Sequence, residues 1–210
     1  SQKSAMSVFE KAFLGEYPDA NFSYTSSGSG AGVKAFNGGT VDFAGSDSAL
    51  KEDKGEVEAA KERCGGNDAW HLPTAIGPVA IAYNLGDTEV NLSTDTLAKI
   101  FKGEITKWND DAIKADNPDV ELPETDITVV ARSDESGTTA NFQEYLKEAA
   151  GDAWPHEPGK EWPVDGAEKA KGTSGVVQTI QGAEGAIGYA DASQVGELKS
   201  AKVKVGEEFV

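Results

Sequence analysis

Short apolar runs that are typical of buried strands alternate along this chain with patterns that are typical of amphipathic helices. The run Val79–Tyr83 (VAIAY) is apolar throughout and predicts a strand buried on both faces. Ile127–Val130 and Ala186–Tyr189 predict two more strands, while 94–101 and 140–150 repeat apolar residues at helical spacing. Strands that alternate with helices favour βαβ units around a parallel sheet, so the sequence predicts an α/β fold.

The first third of the chain shows the same alternation on a smaller scale. Apolar residues from Ala5 to Phe13 recur at helical spacing, and Phe22–Tyr24 and Val41–Ala44 read as short strands around a helical segment at 33–36. The charged stretch 51–63 predicts a helix with a solvated face. Further helices are predicted over 110–115 and 176–181.

Prolines at positions 73 and 78 lie between these two parts of the chain. We predict two lobes, a first lobe over residues 1–77 and a second over residues 78–210, with the chain crossing near Gly77.

Composition narrows the class of function. A hydrophobic content of 38% is that of a folded globular chain, and no apolar run is long enough to cross a bilayer. The net charge of −17 argues against nucleic acid, because binding to phosphate backbones needs a basic surface. The same charge does not exclude a small anion, which responds to local donors more than to screened surface charge. The one cysteine, Cys64, excludes an internal disulfide and is compatible with a reducing or an oxidising compartment.

Three polar segments follow predicted strands at the points where helices or loops begin. They are 27–32 (SGSGAG), 45–47 (GSD) and 132–139 (RSDESGTT). Ligands of open α/β folds bind outside the carboxyl ends of the strands, where helix N-termini present unpaired N–H groups. The arrangement therefore favours an anion site.

The third segment carries the most chemistry. Arg132 is one of only two arginines and supplies a forked, permanently charged donor that suits a tetrahedral oxyanion. Ser136 and Thr138 add hydroxyl groups, Gly137 permits a close approach of the backbone, and Asp134 is placed to orient the guanidinium. Taken alone, the segment is equally compatible with an ordinary capped loop that carries a surface ion pair.

Together these segments resemble the phosphate-binding proteins of ABC-type phosphate importers. The resemblance is carried by 24–34 (YTSSGSGAGVK), 41–47 (VDFAGSD), 97–109 (LAKIFKGEITKWN), 130–139 (VARSDESGTT) and 185–189 (GAIGY). They occur in the order of that family and span essentially the whole chain. The resemblance implies a two-lobed, type II periplasmic-binding-protein architecture with the ligand cleft between the lobes.

Carried over residue by residue, the resemblance implies a set of phosphate contacts with a supporting shell. The implied contacts are Ser29, Asp47, Arg132, Ser136, Gly137 and Thr138. The implied supporting residues are Asp134, which buttresses Arg132, together with Gly28, Gly30 and Ser1.

Two features of that family are not matched. Its Gly-x-Gly-Ala-Thr/Ser segment ahead of the first helix is absent here or reduced to Ser1, and its long C-terminal return to the first lobe is missing after Val210. Either the chain is a fragment, or its first lobe is completed in another way. We therefore expect a first lobe that lacks its return segment in this chain, and an anion cradle that lacks part of its donors.

Asp47 gives the expected clamp its selectivity. Phosphate bound between the lobes would stabilise the closed form, and an ionised carboxylate only accepts hydrogen bonds. Near neutral pH phosphate carries a proton and sulfate carries none, so Asp47 would accept from phosphate and repel sulfate.

Three other functions compete with phosphate binding. A receptor for another oxyanion, such as sulfate or molybdate, would share the fold, and only Asp47 argues against it. An enzyme acting on phosphate esters would need Ser29, Ser136 or Thr138 as nucleophile, but none lies in a Gly-x-Ser-x-Gly elbow and no general base is evident. A purely adhesive surface protein would show no anion affinity.

The remaining expectations concern partners. His71 and His156 lie in separate segments without metal-ligand spacing, so no metal, cofactor or catalytic residue is predicted. The resemblance implies the membrane permease subunits of an ABC importer as partner. It also implies an extracytoplasmic location, in the periplasm or on the cell surface, and a lipid anchor attached upstream of Ser1.

Overall fold

The computed structural model describes residues 2–210, so the expectation for Ser1 lies outside the described residues. The helices of this part are α1 (Lys3–Glu16), α2 (Ser29–Asn37), α3 (Glu56–Arg63), α4 (Thr94–Phe101), α5 (Asp111–Asp116), α6 (Gly137–Ala150) and α7 (Gly172–Gly182). The strands are β1 (Val79–Tyr83), β2 (Asn91–Leu92), β3 (Thr128–Arg132), β4 (Glu168–Ala170), β5 (Ala186–Asp191), β6 (Lys199–Ser200), β7 (Lys202–Val205) and β8 (Glu208–Phe209). No helix between residues 2 and 210 combines the length and the apolar character that a membrane crossing requires.

A five-stranded sheet organises residues 79–210, with strand order β4-β3-β5-β1-β6. β3 runs parallel to β4 and β5, and the connections through α6 and α7 are the βαβ units that the sequence predicts. β1 runs antiparallel to β5 and β6, so the sheet is mixed and the prediction of a parallel sheet was too simple. Apolar patterning identifies a buried strand but does not specify its direction. A small second sheet has the order β2-β7-β8.

Both faces of the sheet are buried. Alternate residues of a strand point to opposite sides, so one strand can contribute side chains to a core on each face. On one face Ile81, Tyr83, Ile187 and Tyr189 join a large core with α4 and α6 that contains most of the buried aromatic rings. On the other face Ala82, Val130 and Ala186 pack with Val176 and Ile180 of α7. The carboxyl end of β3 and the N-terminus of α6 are therefore held by a close-packed scaffold.

Three of the four tryptophans belong to that scaffold. Trp108 and Trp154 are fully buried and Trp162 nearly so, and the Nε1 of Trp108 donates to the Gly185 carbonyl oxygen at 2.9 Å. Trp70 is 87% exposed. Burial of these three indoles makes Trp108, Trp154 and Trp162 packing residues of the core.

Residues 2–77 differ from the sheet-bearing part in how few hydrophobic residues they bury. They contribute α1, α2 and α3, and within this described stretch Val33 and Ala60 are the only hydrophobic residues that are buried. Phe13, Phe22 and Phe43 instead form a chain of tilted ring contacts, with centroid distances of 6.1 and 5.9 Å, in which Phe13 and Phe43 remain exposed.

The two strands predicted in this stretch were wrong. Phe22–Tyr24 and Val41–Ala44 have no regular secondary structure, with a bend at residues 41 and 42, and they form no ladder with any described residue. Alternation of apolar and polar residues indicates strand character, whereas a strand exists only when a neighbour pairs its backbone N–H and C=O groups. The division into lobes at residue 77 stays a prediction.

Candidate functional site

Two helix N-termini meet where residues 2–77 contact the sheet-bearing part. α2 begins at Ser29 after Gly28, and α6 begins at Gly137 after Ser136, whose Oγ accepts a hydrogen bond from the Thr139 N–H as a helix cap. A Cβ built on Gly137 would lie 2.7 Å from Ser29 Oγ and 2.9 Å from the Ser48 backbone nitrogen. Only glycine permits this approach, which brings the positive ends of both helix dipoles to one place.

Both helices begin earlier than the sequence patterns predict, at Ser29 and Gly137 instead of Val33 and Ala140. The first turn of each is made of small, polar or glycine residues, which do not show an apolar period. The predicted binding residues Ser29, Gly137 and Thr138 are consequently helical residues of a first turn, where N–H groups have no partner within the helix.

Asp47 lies between these helix ends and is held by several groups. Its Oδ2 accepts from Thr138 Oγ1 at 3.2 Å and its Oδ1 from Gln2 Nε2 at 3.1 Å. Its backbone N–H donates to Ser29 Oγ at 3.1 Å, and its carbonyl oxygen accepts from Asn141 Nδ2 at 2.7 Å. In this contact Ser29 Oγ is the acceptor, and a hydroxyl that accepts a hydrogen bond can still donate its own O–H.

Arg132 ends β3 and is buried, with only 5% of its surface exposed. Its Nε and Nη2 donate to Asp134 Oδ1 and Oδ2 at 2.8 and 2.5 Å, which is the bidentate geometry of a strong ion pair. Asp134 Oδ1 also accepts from the backbone N–H of Gly172, the first residue of α7, at 3.0 Å. The predicted buttress is therefore present as a side-chain contact.

The pKa of the Asp134 carboxyl reflects two opposing influences. Burial works to raise it, but hydrogen bonds from Arg132 and the Gly172 N–H, together with the guanidinium charge, outweigh burial and lower the pKa below its ordinary value. Asp134 is thus an anion at neutral pH. The carboxylates of Asp134 and Asp47 outnumber the one guanidinium, so an added anion has to be held by N–H and O–H donors as well as by Arg132.

The supporting glycines lie against the same residues. Gly28 has φ of 90°, and a Cβ there would lie 2.5 Å from Asp134 Oδ2. Gly30 donates its N–H to the Glu135 carbonyl oxygen at 3.0 Å, and a Cβ there would overlap the Glu135 side chain. Every predicted site residue within 2–210 is therefore brought into one cluster, which comprises Gly28, Ser29, Gly30, Asp47, Arg132, Asp134, Ser136, Gly137 and Thr138.

A cavity of about 860 Å³ opens beside the cluster. Its lining includes residues 21–29 and 40–45 together with Asp47 and Arg132. The polar segment 21–29 thus faces a solvent-accessible space instead of a packed core. In the described part of the chain no group of three or more His, Cys, Asp or Glu side chains is arranged to hold a metal ion.

Several groups of the site were not predicted from the sequence. Gln2 and Asn141 bind Asp47, and Tyr189 lies beneath Arg132, since its hydroxyl accepts from the Arg132 N–H at 3.2 Å and shares a hydrogen bond of 2.7 Å with Thr139 Oγ1. Tyr189 lies in the motif GAIGY, which marked the resemblance without indicating a role. Gln2 and Asn141 carry no local signal, because only the tertiary fold places them beside Asp47.

The model of one family, described as the PBP superfamily domain, matches residues 1–209. The chain belongs to the PBP superfamily. This match agrees with the α/β architecture of the sheet and its helices, and the predicted fold class is confirmed.

Individual relatives of this PBP superfamily chain have phosphate-binding names. It is 45% identical over 206 residues to phosphate-binding protein PstS 3 of Mycobacterium leprae, covering 97% of this chain and 55% of that protein. It is 46% identical over 190 residues to phosphate-binding protein PstS 3 of Mycobacterium tuberculosis strain H37Rv, covering 90% and 50%. Among solved structures, the phosphate-binding protein from Stenotrophomonas maltophilia matches with a TM-score of 0.68 at 25% identity, covering 88% and 58%. The chain spans about half the length of the curated relatives it matches.

Proposed function

We propose that this domain binds inorganic phosphate and delivers it to an ABC-type importer, without carrying out chemistry on it. The observation that carries the proposal is the meeting of the N-termini of α2 and α6 around Asp47, with Arg132 at the edge of the cavity. Helix N-termini and a forked guanidinium suit a tetrahedral anion, and Asp47 supplies the acceptor that a protonated anion needs. The phosphate-binding names of relatives at 45 and 46% identity support the same ligand.

In this proposal each cluster member has a defined role. Ser29 and Thr138 donate their O–H groups, the first turn of α6 donates backbone N–H groups, and Arg132 donates from its guanidinium while Asp134 keeps it oriented. Asp47 accepts a hydrogen bond from the O–H group of protonated phosphate, and Thr138 turns its hydroxyl from Asp47 to the ligand. Ser136 holds the helix cap and adds a further hydroxyl.

The proposal extends to domain organisation and cellular context. Residues 1–77 would form the first lobe and residues 78–210 the second, with phosphate bound between them. The protein would act outside the cytoplasm, in the periplasm or on the cell surface, with the permease subunits of the importer as its partner. An anchor attached upstream of Ser1 would tether it to the membrane.

Isothermal titration of the full protein, freed of contaminating phosphate, tests the ligand. We expect saturable phosphate binding at one site and no heat from sulfate, because sulfate has no O–H group to donate a hydrogen bond to Asp47. Equal binding of sulfate would assign the domain to oxyanions in general, and turnover of a generic phosphate ester would assign it to an enzyme.

Asp47→Asn tests the basis of selectivity. The amide keeps the shape of the carboxylate but adds an N–H donor, so it no longer rejects an unprotonated oxyanion. Sites that hydrogen-bond one specific group can reject an analogue lacking it by roughly 10⁴- to 10⁵-fold. We expect the variant to lose far more discrimination against sulfate than affinity for phosphate. Identical selectivity in the two proteins would contradict this role of Asp47.

A further inference from the structure

Three ion pairs outside the anion cluster join residues 2–77 to the part of the chain that follows β3. They are Lys34–Glu135, Lys51–Glu144 and Glu56–Lys160. The first two have exposed or half-exposed partners, with side-chain exposures of 36 and 46% for Lys51 and Glu144. In the third pair, Glu56 and Lys160 are only 19 and 11% exposed. Exposed pairs contribute little to stability, whereas breaking a desolvated pair strands a charge.

Glu56 is prepared for its partner. Its Oε1 accepts from Lys160 Nζ at 2.5 Å and its Oε2 from the Lys51 backbone N–H at 2.9 Å, while the residue itself opens α3. Burial works to raise the pKa of Glu56, but the hydrogen bonds and charges of Lys160 and Lys51 prevail and lower it. The carboxylate is thus ionised at neutral pH and held at a helix N-terminus, where negative charge is favoured.

Lys160 is tied to the anion cluster through its backbone. Its carbonyl oxygen accepts from the N–H of Ser136, the cap of α6, at 2.8 Å. The neighbouring carbonyl oxygens of Gly159 and Glu161 both accept from Nε2 of the fully buried Gln143, at 2.7 and 2.9 Å. Segment 159–161 is therefore fastened to the first two turns of α6, and the Lys160 side chain extends from it to α3.

We infer that Glu56 and Lys160 form a latch that holds the N-terminus of α6 against residues 2–77 and thereby sets how long the bound anion stays. The inference rests on the proposed function, because the cluster that the latch closes is the proposed phosphate site. Neither side chain is a member of that cluster, so both are positioning residues. Loss of a buried charge pair raises dissociation rates, whereas loss of an exposed charge chiefly alters association and its salt dependence.

The test is stopped-flow measurement of phosphate association and dissociation on the full protein. For Glu56→Gln and for Lys160→Met we expect dissociation to accelerate about tenfold or more, which corresponds to at least ~1.4 kcal/mol, with association changed less than about twofold. The double variant should be no worse than either single one, because both remove the same interaction. Lys160→Arg, which keeps the charge, should release phosphate more slowly than Lys160→Met does.

Glu144→Gln is the matched control, because it breaks the exposed pair with Lys51 that joins the same two parts of the chain. Its dissociation rate should stay within about twofold of the wild type. Circular dichroism identifies any variant that fails to fold. If Glu56→Gln or Lys160→Met fails, the latch is tested by comparing the phosphate dissociation rate of Lys160→Arg with the rates of the wild type and of Glu144→Gln.

The outcomes separate the two proposals. A wild-type protein that binds no phosphate refutes the proposed function and the latch with it. A wild type that binds, with folded Glu56 and Lys160 variants that release phosphate at the wild-type rate, refutes the latch alone. Equal acceleration in Glu144→Gln would also refute it, because any charge between the two parts would then act alike.

Discussion

The close approach of α2 and α6 predicts that one added methyl group at Gly137 opens the anion cluster. Gly137 has no positive φ, so alanine fits its backbone without strain and even favours the helix. The obstacle is space, since the new Cβ would meet Ser29 Oγ at 2.7 Å, the Ser48 nitrogen at 2.9 Å and Asp47 Cβ at 3.0 Å. Two of these atoms belong to backbone or Cβ positions that cannot rotate away.

The size of the effect follows from those distances. Ordinary van der Waals contact of a Cβ begins near 3.4 Å, so residues 47 and 48 must retreat from α6 by several tenths of an ångström. Inserting a methylene-sized group into a packed contact typically costs about 1–3 kcal/mol. We therefore expect Gly137→Ala to weaken phosphate binding by roughly 5- to 150-fold.

Isothermal titration with phosphate gives the affinity, and thermal unfolding without ligand gives the stability. Gly175→Ala in α7 is the matched control, since its Cβ would find only ordinary contact with Ala170 at 3.6 Å. We expect the control to bind as the wild type does and to gain about 0.5–1 kcal/mol in stability. Wild-type affinity in Gly137→Ala would refute the argument that this contact shapes the site.

Two further predictions concern the groups behind the site. Because the pKa of Asp134 is lowered in the fold, its contribution to stability is complete above the ordinary carboxyl range and is lost as the pH falls through the lowered pKa; Asp134→Asn should therefore flatten the acid limb of a stability–pH curve from urea unfolding, and an unchanged acid limb would contradict the ion pair's role. Tyr189→Phe leaves the buried Arg132 N–H without its acceptor and should cost about 1–3 kcal/mol of unfolding free energy together with phosphate affinity. Tyr83→Phe, which removes a buried hydroxyl bonded to Thr88 and Val90 away from the site, should cost similar stability but no affinity, and equal affinity loss in both variants would show a general effect of core packing.

The strands and helices of residues 79–210 that were predicted could be recognised because the pattern of apolar residues along each of them is visible within a few neighbouring positions. The apolar run of β1 and the helical period of α4 appear in the structure at the predicted positions. The short strands β2, β4, β6, β7 and β8 were not predicted, since segments of two to four residues are too short to show a period. Predictions failed more seriously at Phe22–Tyr24 and Val41–Ala44, which pair with no strand among the described residues.

Most of the candidate site could be predicted because its residues lie in three short segments with distinctive polar and glycine content. The structure brings those segments together and adds the Arg132–Asp134 ion pair in the expected form. Gln2, Asn141 and Tyr189 could not be predicted, because each acts through a contact across 45 or more residues of sequence. Glu56 and Lys160 lie 104 residues apart, and nothing in their local sequence distinguishes them from solvated charges.

The amino-acid sequence by itself determined the alternation of strands and helices and the residue types of the candidate anion site. These properties depend on composition and on neighbours within a few turns of chain. Only the tertiary structure decided the direction of β1, the meeting of two helix N-termini at Gly137 and the greater burial of the Glu56–Lys160 ion pair. These three features depend on which segments, distant in sequence, pack together and exclude water. Such burial is a property of the folded chain and not of neighbouring residues in the sequence.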